Sequence, residues 1–162
     1  MAVDLALAKQ HLRVDDDEQD FLISAYLNAA MAWVENHTGK LLTRREVAQP
    51  ETRFGAYITL NHGPDPADVE IVYSDGGGDQ IIADARVVRD RLYPASGWPS
   101  ISTPAMIIVS YVAGYAETPA DLDAAVLLLT GDFFANREAG TATPAVTAAV
   151  QALCSPYRSV LV

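Results

Sequence analysis

Ile107-Ile108-Val109-Ser110-Tyr111-Val112 is the stretch on which the fold turns. Dense in β-branched and aromatic residues, it reads as the strongest strand in the chain. Upstream of it, from Leu41 to about Tyr115, the apolar period drops toward two and Gly and Pro punctuate the sequence. Candidate strands there are Leu42–Ala48, Tyr57–Leu60, Val69–Ser74, Gln80–Ile82, Arg86–Val88 and Met106–Val112. Asp75-Gly76-Gly77-Gly78-Asp79 falls between two of them as a hairpin turn, and Trp98-Pro99 lies in a loop before the strongest strand.

Outward from this region the period becomes helical on both sides. Residues 4 to 13 carry Leu5, Ala8 and Leu12 near helical spacing. Asp15-Asp16-Asp17-Glu18 follows, and an Asp of this run is expected to N-cap a second helix from about Glu18 to His37. Leu22, Tyr26, Ala29 and Trp33 mark one stripe on that helix, and Ile23, Leu27, Ala30 and Val34 mark a second. So broad a stripe implies cover on more than one side, and Gly39 supplies the left-handed stop. On the far side, Thr118-Pro119-Ala120-Asp121 reads as an N-cap Thr, a Pro at the first helical position and an acid at the third. That helix is expected to reach Glu138 and end near Gly140. Thr143-Pro144-Ala145 starts a last one to about Leu153, which Ser155-Pro156 stops.

The fold expected is therefore α+β. It is a mostly helical bundle of about four helices (4–39 and 118–153) with a small antiparallel β insert (about 41–115) between the second and third. A C-terminal tail, 156–162, closes a single domain of 162 residues, long enough to bury a real core.

Composition narrows the function. Half of the residues are hydrophobic and a fifth charged, ordinary for a globular protein. No apolar run approaches the ~18 to 20 residues of a membrane span, so no membrane role is expected. The N-terminal Met1–Asp20 stretch lacks a basic start before an apolar run and does not read as a signal peptide. Cys154 is the only cysteine, so no intramolecular disulfide can form and a cytosolic folding environment fits. The formal charge is −10, from 21 acidic and 11 basic side chains. Such a balance opposes tight nucleic-acid binding and is compatible with a surface past which DNA slides. Arg supplies nine of the 11 basic residues, a bias that fits a GC-rich source.

No segment gathers a catalytic constellation. His11, His37 and His62 form no HExxH or other short metal pair, and Cys154 has no partner at zinc spacing. Asp15–Glu18 lacks the spread of ligands and the central Gly of an EF-hand, and reads as solvated helix-start acids. Gly76-Gly77-Gly78 is followed by no Lys-Ser/Thr and opens no helix, so it reads as a turn rather than a phosphate loop. Ser100, Ser102 and Ser110 sit in no nucleophile elbow. No catalytic residue, metal ligand or cofactor is expected. Trp33 is most simply core, whereas Trp98 reads equally as a contact residue or as packing against the insert.

Three stretches, in order, resemble the head–tail connector (adaptor, or head completion) proteins of long-tailed phages. The first is Leu5-Ala6-Leu7-Ala8-Lys9-Gln10-His11-Leu12-Arg13-Val14 with Asp20, Ala29-Ala30 and Thr38-Gly39-Lys40. The second is Trp98-Pro99, then Val109-Ser110-Tyr111-Val112-Ala113-Gly114-Tyr115 with Thr118-Pro119. The third is Phe134-Ala135-Asn136-Arg137-Glu138 with Leu153-Cys154-Ser155-Pro156-Tyr157-Arg158. The insert makes the chain most similar to the branch that includes gene transfer agent adaptors, which it matches in outline.

The resemblance implies a virion protein of the head–tail interface, assembled in the host cytoplasm. It implies a homo-oligomeric ring of twelve copies under the portal protein that extends the DNA channel and docks a stopper or tail-completion protein. Double-stranded DNA would pass through without specific binding. Portal-contact candidates are Pro156, Tyr157, Arg158, Val160, Leu161 and Val162, an apolar tail with one aromatic and one Arg. Tail-side or subunit-contact candidates are Trp98, Asp75, Asp79 and Arg137. Two rivals stand beside this reading. A stopper or tail-terminator ring would carry less helix, below about a quarter, since such rings are β-rich. A small metal- or nucleotide-dependent enzyme would use Asp15–Glu18.

Overall fold

A computed structural model describes residues 3–74, 78–82, 84–101, 106–138 and 144–158. The chain divides into two compact units, one of Met1–Thr43 with Ala116–Val162 and one of Arg44–Tyr115.

The first unit is helical. It holds α1 (Leu5–Leu12), α2 (Asp20–Thr38), α3 (Ala120–Ala135) and α4 (Pro144–Cys154), followed by a 3₁₀ turn at Ser155–Tyr157. The apolar face of α2, Ile23, Leu27, Ala30 and Val34, is buried, as are Leu122, Ala125, Val126 and Leu129 of α3. The two helices pack together, with α1 against both and α4 against α3. Each fully buried Leu or Val contributes about 1.5 to 3 kcal/mol, so this face outweighs any capping effect. Of the other stripe on α2, Leu22, Tyr26 and Trp33 are half-buried and Ala29 is exposed.

The helix ends follow local chemistry, with two departures. Asp4 caps α1 by accepting from the Leu7 N–H at 2.8 Å. Gly39 ends α2 at φ 69°, a left-handed conformation that costs glycine little. The expected Asp cap on α2 is absent: Gln19 occupies the N-cap without a side-chain bond. Asp16 Oδ1 instead accepts from the Glu18 N–H at 3.1 Å, a local turn that competes with capping. At α3 the N-cap is Pro119 rather than Thr118. The buried Thr118 hydroxyl donates to the Leu42 carbonyl at 3.0 Å, so a tertiary partner outcompetes the cap.

The second unit is all β. Its strands are β1 (Arg45–Glu51), β2 (Ile58–Thr59), β3 (Ala67–Ser74), β4 (Asp79–Ile82), β5 (Ala85–Val88), β6 (Arg91–Pro94) and β7 (Met106–Ala113). They form a four-stranded sheet, β1-β7-β3-β4, and a three-stranded sheet, β2-β6-β5. All pairings are antiparallel. The strand that carried the sequence reading, β7, is central and buries alternate residues Ile107, Val109, Tyr111 and Ala113. Pro50 lies in β1, an edge strand, the position where a residue without an N–H is tolerated.

This architecture corrects the expectation of a mostly helical bundle with a small insert. The chain is 39% helix and 27% strand, with four helices and seven strands among the described residues. The β region builds two sheets and a core of its own, with Ile58, Ile71, Leu92, Ile107 and Val109 buried. It is therefore an equal partner in the fold. β6 was not anticipated, because Arg91-Leu92-Tyr93-Pro94 offers a single apolar side chain to the core, the fully buried Leu92. β1 begins three residues later than expected. Leu41 and Leu42 are buried outside the sheet, and the Leu42 N–H donates to Glu35 Oε1 at 2.9 Å.

Candidate functional site

The end of the described chain forms a side-chain cluster in the helical unit. Ser155-Pro156-Tyr157 turns the backbone off α4, with Pro placed where no helical N–H is required. Tyr157 is half-buried and its hydroxyl donates to Asp121 Oδ2 at 3.2 Å, while Pro156 and Arg158 are exposed. Burial first, and then Asp121, pushes the Tyr157 phenol above its ordinary range. Beside it, His37, Gln151, Ala152, Ser155 and Arg158 line a hollow of about 490 Å³. His37 stacks on Trp33 with ring centroids 4.8 Å apart. Burial, and then the positive charge of Arg158, hold the His37 imidazole below its usual value. Cys154, fully buried behind this turn, has its thiol raised by burial. The cluster presents an aromatic, a cation and a rigid proline together, a composition suited to gripping a protein partner.

The other expected contact residues are dispersed. Trp98 is half-buried, stacked on Phe54 at 4.8 Å, and Phe54 meets Tyr73 edge-on at 5.8 Å. Asp79 opens the edge strand β4 and is exposed. Arg137 follows α3: its Nη2 donates to Gln19 Oε1 at 2.7 Å and its guanidinium lies 4.6 Å from the Phe134 ring centroid. Asp75, Val160, Leu161 and Val162 lie outside the described residues.

One acid of the run, Asp17, is tied to α1 together with Asp20. Lys9 Nζ reaches Asp17 Oδ1 at 2.6 Å and Asp20 Oδ1 at 2.7 Å. The hydrogen bond to Lys9 lowers the Asp17 pKa, and the bonds to both carboxylates raise that of Lys9. Among the described residues no group of three His, Cys, Asp or Glu side chains could hold a metal ion. None of the described helices is long and apolar enough to cross a membrane.

Sequence reading missed a set of exposed large apolar side chains: Phe21 at 89%, Met106 at 66%, Ile81 at 64% and Val88 at 43%. Each continues a helical or strand pattern, and exposure is invisible until the partner strands are known.

The comparisons agree with this anatomy. The chain matches, at 30% identity and a TM-score of 0.83, a chain of the virion of a native gene transfer agent (GTA) particle, covering 99% of this chain and 91% of that one. It matches a chain from the neck of an empty GTA particle computed with C6 symmetry at 28% identity and a TM-score of 0.83, with the same coverage. A third match, from the neck of a native GTA particle computed with C12 symmetry, has 29% identity and a TM-score of 0.76, covering 100% of this chain and 94% of that one. No curated protein sequence matches. These likenesses define a structural protein of a particle neck. The family profile described as "Phage gp6-like head-tail connector protein" matches residues 2–68. The chain belongs to this head–tail connector family, and the solved chains that it resembles come from gene transfer agent particles.

Proposed function

We propose that this chain is a head–tail adaptor that works by contact and not by catalysis. Twelve copies form a ring beneath the portal protein, extend the DNA channel and dock the stopper or tail-completion protein. One observation carries the reading: the GTA virion likeness spans 99% of the chain at 30% identity, so both units and their order match a particle protein. Helix content supports an adaptor over a stopper or tail terminator, for which less than about a quarter was expected; the chain has 39%.

In this reading the two units act as one connector domain. Pro156, Tyr157, Arg158, Val160, Leu161 and Val162 grip the portal, and Trp98, Asp75, Asp79 and Arg137 serve subunit or tail-side contacts. The net charge of −10 per copy makes the ring strongly acidic. DNA phosphates are weakly repelled by such a wall, and the genome passes without sticking.

The test is native mass measurement of the full chain mixed with the portal of the same particle. The expected result is addition of a ring of twelve, and at least roughly 30-fold weaker binding when the chain is ended after Arg158, the loss of a hot spot worth about 2 kcal/mol. A chain that stays monomeric and ignores the portal overturns the proposal.

A further inference from the structure

The β unit has two outer faces that differ in charge. On the four-stranded sheet, Pro50 pairs with Ile108, Ile108 with Val72, and Val72 with Ile81. Because side chains at paired positions share a face, these four form one apolar row across all four strands. Val72 and Ile108 are half-buried, Pro50 is exposed, and Ile81 at the β4 edge is 64% exposed. Met106, 66% exposed, stands on the same face opposite Ser74. The charged residues at paired positions of this face are all acidic: Glu46, Glu70 and Asp79.

The three-stranded sheet is the opposite case. Its inner side is set by Ile58 and Leu92, both buried. Its outer side carries Arg86 opposite Tyr93, and Val88 opposite Arg91. The Arg91 guanidinium lies 4.4 Å from the Tyr57 ring centroid, and Tyr57 meets Tyr93 at 5.7 Å. Arg86 is exposed, as is Arg89 in the turn, and Val88 is 43% exposed. Asp84 and Asp90 stand only at the strand ends.

The second sheet lies on the buried side of the first, away from the apolar row. Gln49 Nε2 donates to the Thr59 carbonyl at 2.8 Å, Gln49 Oε1 accepts from the Asn61 N–H at 3.0 Å, and the Tyr111 hydroxyl accepts from the His62 N–H at 3.1 Å. Gln49 and Tyr111 belong to the buried face of the first sheet, whereas the Thr59 carbonyl is a backbone group of β2, and Asn61 and His62 follow that strand.

We propose that these outer faces are the two halves of a head-to-tail subunit contact: the acidic, apolar row of one copy receives the Arg86–Val88 face of the next. The occupant is a second copy, because each face supplies the charge and the apolar surface that the other lacks. A closed ring requires such a pair of unlike patches on different sides of one subunit. In a C12 arrangement, the symmetry of one neck that the chain resembles, successive copies turn by about 30°, so the patches must lie on nearly opposite sides. Tyr and Arg at the cationic face have the composition of interface hot spots. The proposal rests on the ring reading above and assigns it a surface.

The test uses full-length chain with the portal, read by native mass measurement, with melting curves to check folding. Ile81→Asp removes the exposed apolar side chain of the row, and Arg86→Glu sets a carboxylate against the acidic face. Each alone is expected to lower the ring fraction at least about tenfold, Ile81→Asp through lost apolar burial and Arg86→Glu through like-charge contacts that oppose assembly. Mixed together, folded Ile81→Asp and Arg86→Glu copies retain one intact pair of faces, and are expected to form heterodimers that cannot close. Misfolded variants would form none. If wild-type chain fails to build a ring on the portal, the adaptor reading falls and this contact with it. If wild-type rings form and the folded variants build them equally well, or if the mixture gives no heterodimer, the contact is refuted while the adaptor stands.

Discussion

Replacing Gln49 by Leu should separate the two sheets of the β unit energetically while leaving the helical unit intact. Gln49 is 4% exposed and its amide serves both sheets. It donates to the Thr59 carbonyl at 2.8 Å, accepts from the Asn61 N–H at 3.0 Å and accepts from the Tyr111 hydroxyl at 3.3 Å. Leu has similar bulk and no polar atoms, so these three partners on other segments, and Glu51 Oε1 at 2.7 Å on the same strand, lose their bonds without a large cavity. At about 1 kcal/mol net for each of the three bonds to other segments, the loss is about 3 kcal/mol. With a urea dependence of ~2 kcal/mol per molar, the unfolding midpoint should fall by about 1.5 M. The assay is urea unfolding read from Trp98, which stacks on Phe54 within the same unit, in a Trp33→Phe background that silences the tryptophan of α2. Tyr111→Phe removes a hydroxyl that makes two bonds, to Gln49 and from His62, and should cost about 2 kcal/mol, or about 1 M. The double variant should fall short of the sum, because the two residues share a bond. A Gln49→Leu midpoint within about 0.3 M of the parent would refute the idea that this amide ties the sheets.

Three further outcomes follow from the helical unit. Lys9→Met should lower the melting temperature near neutral pH, with the sign set by both partners. Asp17 has a lowered pKa when folded, so its contribution exists above its ordinary 3.8 and is lost as acid titrates the folded carboxylate; Lys9 has a raised pKa, so its contribution exists below its ordinary 10.5 and is lost above that. The difference between parent and variant should therefore vanish at both extremes of a melting-temperature profile against pH. The imidazole of His37 should titrate below 6.5 by NMR, and below that pH its charging should favour the unfolded chain, because burial and Arg158 oppose the cation. Arg158→Gln should move that titration upward. The Cys154 thiol, fully buried and raised in pKa, should react with a maleimide at least about a hundredfold more slowly in the folded chain than in urea.

Much of the local structure was legible without coordinates. The four helices fall close to where apolar spacing placed them, since i, i+3 and i+4 repeats are a property of the chain itself, although α3 ends at Ala135 and does not reach Glu138. Six of the seven strands were also legible, β7 most clearly. Two kinds of error came from tertiary competition. Thr118 looked like a cap and instead serves the Leu42 carbonyl, and an Asp of the acidic run looked like a cap where Asp17 instead pairs with Lys9. The weight of the β region was the larger error: short strands look like a decoration until their pairing shows two sheets with buried inner faces.

The sequence by itself determined the helix positions, the central strand, the acidic balance and the resemblance to head–tail connectors, because periodicity, charge and ordered motifs need no partner to be read. Strand order was beyond it. Which outward side chains share a face depends on register between segments as distant as Pro50, Val72, Ile81 and Ile108. Only the tertiary structure could set those four in one exposed row. A one-residue slip in any pairing would have turned that strand's contribution to the other face.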